Sequence, residues 1–347
     1  MNQSSSSGPP VSSGRFWRRA SVSGAALALL AGLAFLAGPR NAFGPEAPTP
    51  RVAPPADLTA LEGWLAHSEA AYPDLLPEAA KGIVWNGAPG QRTPWSVVYV
   101  HGFTASRLET APTADKVARA IGANLFYTRL TGHGRGPMAM GEARVQDWLA
   151  DVQEAVTIGR LLGQRVLLIG CSTGATLASW QAMQPAGQAD AYAFISPNFG
   201  PRNKRSEIIN YPWGQQIALA LEGEMRGQLA ENPRENRAWT LRYATRALFP
   251  MMALIRHVRA SDWSQFKTPV LMLYAEGDQT VDPAQTRDVF ARIGSTQKTL
   301  EVVDYSHAQG QHVLAGDLMA PEATEPMAAR IAQWTAGLNL SAAPATP

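Results

Sequence analysis

The sequence predicts an α/β fold, a mostly parallel sheet with helices on both faces and an inserted helical cap. Three observations carry that prediction. From Ser96 onward, short and nearly continuous apolar runs alternate with helical patterns. Strands buried on both faces beneath crossover helices have this signature. One apolar run, Val166-Leu167-Leu168-Ile169-Gly170, meets Cys171-Ser172-Thr173-Gly174 and passes directly into a helical pattern. Residues 200–261 break the alternation with helical runs and no good strand.

The elements follow in chain order. Ser96–Val100 reads as a buried strand, Ala114–Ile121 as a helix and Asn124–Arg129 as a strand. Ala143–Leu162 is a long helix whose apolar face takes in Trp148, Val152, Val156 and Ile158. Arg165–Ile169 is the strand before the turn, and Ala191–Ser196 the next strand. The cap follows, with helical runs Trp213–Leu229 and Asn236–Val258. Its Trp213, Trp239, Tyr243, Phe249, Met251 and Met252 can serve its own core or face a ligand. Such an insert would cover the crevice at the carboxyl ends of the strands, where open α/β sheets bind ligands. Strands Pro269–Ala275 and Thr299–Tyr305 and helices Ala284–Ile293 and Glu325–Leu338 complete the domain, which spans 58–338.

The chain has 347 residues, 46% of them hydrophobic and 17% charged, which provides for an ordinary buried core. Net charge is +2 and no Lys/Arg block beyond the N-terminus marks a nucleic-acid surface. The lone cysteine, Cys171, excludes an intramolecular disulfide. Residues 1–19 are Ser/Gly/Pro-rich and basic and read as disordered. Arg15, Arg18 and Arg19 precede an uncharged apolar stretch over 20–39. Roughly 20 such residues suffice to cross a bilayer. The stretch is expected to act as a membrane anchor with the domain exported, with a cleaved signal segment or a merely apolar soluble tail as the alternatives. Residues 40–57 are rich in Pro and Ala and read as an extended linker, and 339–347 as a tail.

Gly170-Cys171-Ser172-Thr173-Gly174 fits Gly-x-Ser-x-Gly between a strand and a helix. Small residues let backbone and helix approach closely, so the turn lifts the Ser172 hydroxyl beside a helix N-terminus. Free N–H groups there suit a developing oxyanion. Ser172 is therefore the candidate nucleophile. Cys171 points away from the site as a buried thiol. His101-Gly102-Phe103 follows the strand ending at Val100, so the Phe103 N–H and the Thr173 N–H are the candidate oxyanion hole. The side chain of His101 is expected to fix its loop. Three carboxylates follow the strand ending at Ala275. Asp278 crests the turn after Gly277, Glu276 borders the strand, and Asp282 before Pro283 suits a helix N-cap. Asp278 is the candidate acid. After the last strand His307 and His312 compete for the base, and their positions alone do not choose between them.

Val100-His101-Gly102-Phe103, Leu130-Thr131-Gly132-His133-Gly134, Trp148 with Asp151, the Gly170–Gly174 turn, Gly277-Asp278 and His312-Val313 together carry a family resemblance. The chain resembles the α/β-hydrolases of the monoacylglycerol lipase, carboxylesterase and serine aminopeptidase-like branch, from about Trp95 to Leu338 outside the cap. Threonine stands at 131 where that branch has proline. The resemblance favours His312 as base, giving the order Ser172, Asp278, His312. It implies hydrolysis through an acyl-enzyme, with no metal or organic cofactor.

Gly132-His133-Gly134-Arg135-Gly136 opens no helix and has no Walker lysine, so it is no nucleotide loop. The six histidines offer no metal-ligand spacing. The expectation is a serine hydrolase acting on small-molecule carboxylic esters, with an apolar acyl group under the cap. An amidase or peptidase of the same fold is the alternative within enzymes. An acidic cluster from Glu222, Glu224, Glu231 and Glu235, facing the pocket, would favour a peptidase. A catalytically silent, membrane-anchored binding module is the alternative outside them.

Overall fold

The computed structural model describes residues 29–340. The expectations for 1–19, for the start of the 20–39 stretch and for 341–347 of the tail lie outside the described residues. Residues 29–36 are helical, and among the described residues no helix is long and apolar enough to cross a membrane.

The strands are β1 (Gly82–Val84), β2 (Thr93–Val100), β3 (Asn124–Tyr127), β4 (Gly163–Cys171), β5 (Ala191–Ile195), β6 (Met225–Arg226), β7 (Tyr243–Ala244), β8 (Val270–Tyr274) and β9 (Lys298–Val302). The helices are α1 (Leu58–Glu69), α2 (Thr113–Ala120), α3 (Val145–Leu162), α4 (Thr173–Ala182), α5 (Gly214–Glu222), α6 (Pro233–Ala238), α7 (Leu248–Ala260), α8 (Pro283–Arg292) and α9 (Pro321–Ala336). Seven strands form one sheet in the order β1-β3-β2-β4-β5-β8-β9. All neighbours pair in parallel except β1, which runs antiparallel to β3 at the edge.

The two-residue period of the strands divides the core into two layers. Val98 and Val100 of β2 and Leu168 of β4 pack with Trp148 and Val152 of α3 and Leu177 of α4. Val97, Tyr99, Leu167 and Ile169 face the other way, onto Val117 of α2 and Ile331 of α9. Each such buried aliphatic side chain contributes about 1.5–3 kcal/mol relative to exposure. The mostly parallel sheet with helices on both faces is thus present, with shifted ends. The last strand stops at Val302, short of Tyr305, and the last helix starts at Pro321, before Glu325.

The cap departs from its expected form. The run Trp213–Leu229 is helical only to Glu222, where Gly223 takes φ +75° and ends α5. The run Asn236–Val258 is interrupted, and β6 and β7 pair antiparallel inside the cap. Gly227 at φ +81° turns the chain there, and a Cβ on it would lie 1.9 Å from the Leu241 carbonyl oxygen. Only glycine allows that approach. Residues 40–57 hold no regular element, yet they lie against the domain. Thr49 Oγ1 donates to Asp147 Oδ1 at 2.6 Å, and Arg51 Nη1 meets Asp151 Oδ1 of α3 at 2.6 Å.

Candidate active site

Ser172 sits between β4 and α4 at φ +51°, ψ −116°, a conformation that non-glycine residues rarely adopt. The surroundings hold it there. Its N–H donates to Ile195 O at 2.9 Å, and its carbonyl accepts from Ala175 N at 3.0 Å and Asn198 N at 3.2 Å. A Cβ on Gly174 would lie 2.1 Å from Val100 O, and one on Gly170 would lie 2.8 Å from the Ala175 backbone. The small residues on both sides of the serine are therefore steric requirements of the turn.

Two distant segments converge on this turn. His312 Nε2 lies 3.0 Å from Ser172 Oγ, and His312 Nδ1 lies 2.7 Å from Asp278 Oδ2. Asp278 is 2% exposed, too buried for a solvated turn aspartate. Its other oxygen accepts from Thr280 N at 2.8 Å and Val281 N at 2.9 Å, which fixes the carboxylate plane. The acid and base loops are also tied together, by Gln279 N donating to Gly310 O at 2.9 Å.

The competing residues are placed elsewhere. Glu276 pairs with Arg287 and accepts from Tyr274 OH at 2.8 Å. Asp282 caps α8 by accepting from Ala284 N at 3.0 Å. His307 is exposed, and its backbone N–H donates to Glu322 Oε1 at 2.9 Å. Cys171 is fully buried on the far face, where burial pushes its thiol pKa well up. His101 accepts from Leu130 N through Nε2 at 3.0 Å, so its proton sits on Nδ1, which donates to Gly102 O at 2.9 Å. Burial pushes its pKa down to about 4, and that of His133 well below the usual value. Both rings are neutral parts of the loop scaffold. Trp148 and Asp151 hold the adjoining loop, with Trp148 Nε1 donating to Thr131 O and Asp151 accepting from Thr131 N.

The Gly102 carbonyl also accepts from Ala105 N at 3.2 Å. In a trans peptide the N–H points opposite to the C=O, so the Phe103 N–H faces away from these donors. Thr173 is the first residue of α4, so its N–H has no intrahelical acceptor.

Glu109 and Asn198 escaped sequence reasoning. Asn198 lines the cavity beside Ser172. Glu109, fully enclosed behind the serine turn, accepts from Gly102 N at 2.6 Å and from Tyr99 OH at 2.9 Å. Burial pushes its carboxyl up to about 7, despite these donors and the nearby His312. The unfolded chain ionises this group near 4.5. Glu109 therefore adds stability below that pH, and the contribution is lost as pH rises through 7. At about 1.4 kcal/mol per pH unit, the wild type should gain about 3 kcal/mol over Glu109→Gln between pH 7 and pH 4.5. Urea unfolding at both pH values measures this, and parallel pH dependence in the two proteins would contradict it.

Ser172 and His312 open into a cavity of about 740 Å³, a size suited to a small molecule. The cap supplies most of its wall, through Ile208, Ile209, Leu221, Leu248, Met252 and Ile255. Trp239, Tyr243 and Met251 also line it, whereas Trp213 and Phe249 do not. Of Glu222, Glu224, Glu231 and Glu235 only Glu222 reaches the wall, with its carboxylate 3.9 Å from Arg226.

A parallel sheet with a serine at this strand–helix turn, beneath a helical cap, defines an α/β-hydrolase. Residues 91–308 match the family described as serine aminopeptidase, S33, and the chain belongs to that hydrolase family. The thermostable monoacylglycerol lipase of Bacillus sp. (strain H-257) is 25% identical over 211 residues, covering 60% of this chain and 80% of that protein. Solved structures share the fold. The one described for LipS and LipT, two metagenome-derived lipolytic enzymes, has a TM-score of 0.57 at 21% identity, covering 76% of this chain and 99% of that one. The monoacylglycerol lipase of Paleococcus ferrophilus has a TM-score of 0.55 at 18% identity, covering 73% of this chain and 96% of that one.

Proposed function

We propose that the protein is a serine hydrolase that cleaves carboxylic esters with apolar acyl groups, through an acyl-enzyme on Ser172. The observation that carries the reading is the continuous hydrogen-bonded chain from Ser172 through His312 to Asp278, opening into a largely apolar cavity. His312 Nε2 takes the Ser172 proton as Oγ attacks the acyl carbonyl. Asp278 orients the ring and stabilises the imidazolium. The Phe103 and Thr173 N–H groups hold the oxyanion. His312 then protonates the departing alcohol, and water, activated by the same nitrogen, releases the acid and restores Ser172.

The monoacylglycerol lipase named above supports an ester with an aliphatic acyl chain. The family description also brings an amide-cleaving reading, in which the cavity would capture a peptide amino terminus. A single cap glutamate at the wall, close to an arginine, favours the ester.

The test is hydrolysis of p-nitrophenyl esters from acetate to palmitate by the full chain. Each buried methylene is worth about 0.8 kcal/mol, so kcat/KM should rise at least about tenfold from acetate to octanoate. A flat or falling profile would overturn the apolar acyl site. No ester turnover by folded protein, with turnover of aminoacyl p-nitroanilides, would favour the peptidase. Failure on both would favour the silent binding module.

A further inference from the structure

We propose that Asn41 is a positioning residue, which clamps the cap over Ser172 and thereby sets the site for long acyl groups. The inference rests on the ester-hydrolase reading above.

Asn41 lies 50 residues before the family-matched region begins at 91. It is 3% exposed, and every polar atom of its side chain is used. Its Nδ2 donates to Asn210 Oδ1 at 3.1 Å and to Phe249 O at 2.8 Å. Its Oδ1 accepts from Gln215 Nε2 at 2.8 Å, and its backbone carbonyl accepts from Arg256 Nη2 at 2.6 Å. Asn210 ends the turn Lys204–Asn210, Gln215 lies on α5, and Phe249 and Arg256 lie on α7. One buried amide thus joins three separate cap elements. Those elements also supply the cavity wall, through Ile208, Leu221 and Ile255.

The flanking residues extend the clamp. Trp213 N donates to Pro39 O at 2.8 Å. Phe43 stacks on His257 of α7 with ring centroids 3.8 Å apart. At its other end the segment is fixed to the body. Gln146 of α3 donates to the Phe43 and Pro45 carbonyls, both at 2.8 Å, and Arg51 pairs with Asp151. Residues 39–51 therefore form a strap from cap to sheet layer. Removing the Asn41 amide takes a partner from the buried Asn210 side chain and from the half-buried Gln215 side chain and Phe249 carbonyl. Movement of the cap toward water is the cheapest way to satisfy them. That movement displaces the acyl wall and leaves Ser172, His312 and Asp278 where they are.

The test compares full-chain wild type, Asn41→Ala and Gln215→Ala, the last removing one partner and leaving Asn41 in place. For p-nitrophenyl decanoate, Asn41→Ala should raise KM about tenfold, while kcat/KM for the acetate stays within about twofold. Limited proteolysis within 200–261 should quicken about tenfold, and Gln215→Ala should show both effects more weakly. An unchanged decanoate KM with unchanged cap proteolysis would overturn the proposal. A parallel loss on acetate and decanoate would overturn it too, since Asn41 would then support the whole fold. If the wild type cleaves neither ester, the ester reading fails, and cap proteolysis alone decides the clamp.

Discussion

Ser172→Ala is expected to lower kcat by about 10⁵–10⁶-fold with the fold intact. Of the turn's side chains it is the Ser172 hydroxyl that meets His312, whereas the Cys171 thiol beside it is fully buried in the core. The turn itself does not depend on the hydroxyl. Its bonds from the Ser172 N–H to Ile195 O and from Ala175 N to the Ser172 carbonyl are backbone interactions that alanine keeps. Circular dichroism and thermal unfolding should therefore match wild type within about 1 kcal/mol. Turnover within tenfold of wild type in the folded variant would remove Ser172 from the chemistry.

His312→Ala is expected to cost nearly as much, on the order of 10⁵-fold in kcat, because nucleophile and base act as one unit. Among the described residues no other histidine is hydrogen-bonded to Ser172 Oγ. His101 and His133 are enclosed in the scaffold beneath the Phe103 loop with depressed pKa values, and His307 is turned to solvent. His307→Ala should accordingly leave kcat within about twofold, since exposed substitutions away from a site act weakly. The contrast between the two variants names the base. Equal losses, or loss in His307→Ala alone, would reverse the assignment.

The parts of this site that were legible in the sequence are the local ones. Strand, turn and helix around Ser172 fit within about twenty consecutive residues, and Gly170 answers to a contact inside that unit, the Ala175 backbone, whereas Gly174 answers to Val100 of β2. Asp278 was legible because a turn at a strand end leaves few places for a carboxylate. The two histidines differ by five positions in an irregular loop. What separates them is the reversal of the chain at Gly310 (φ +73°) and Gln311 (φ +49°), which no apolar periodicity records. Glu109 was illegible for a related reason. A glutamate after a turn is ordinarily a surface residue, and this one is enclosed only because Gly102 N and Tyr99 OH meet it. The Pro/Ala-rich composition of 40–57 suggests a spacer. The partners of Asn41 lie 169 to 215 residues further along the chain, beyond the reach of any local pattern.

The most direct measurement is covalent capture of the nucleophile. The full-length protein would be treated with a fluorophosphonate and digested, and the modified peptide would be located by mass spectrometry. Stoichiometric modification on Ser172, absent in Ser172→Ala and slowed at least about a hundredfold in His312→Ala, is the predicted result. Folded protein that stays unmodified, or a label carried by any other residue, would contradict the account.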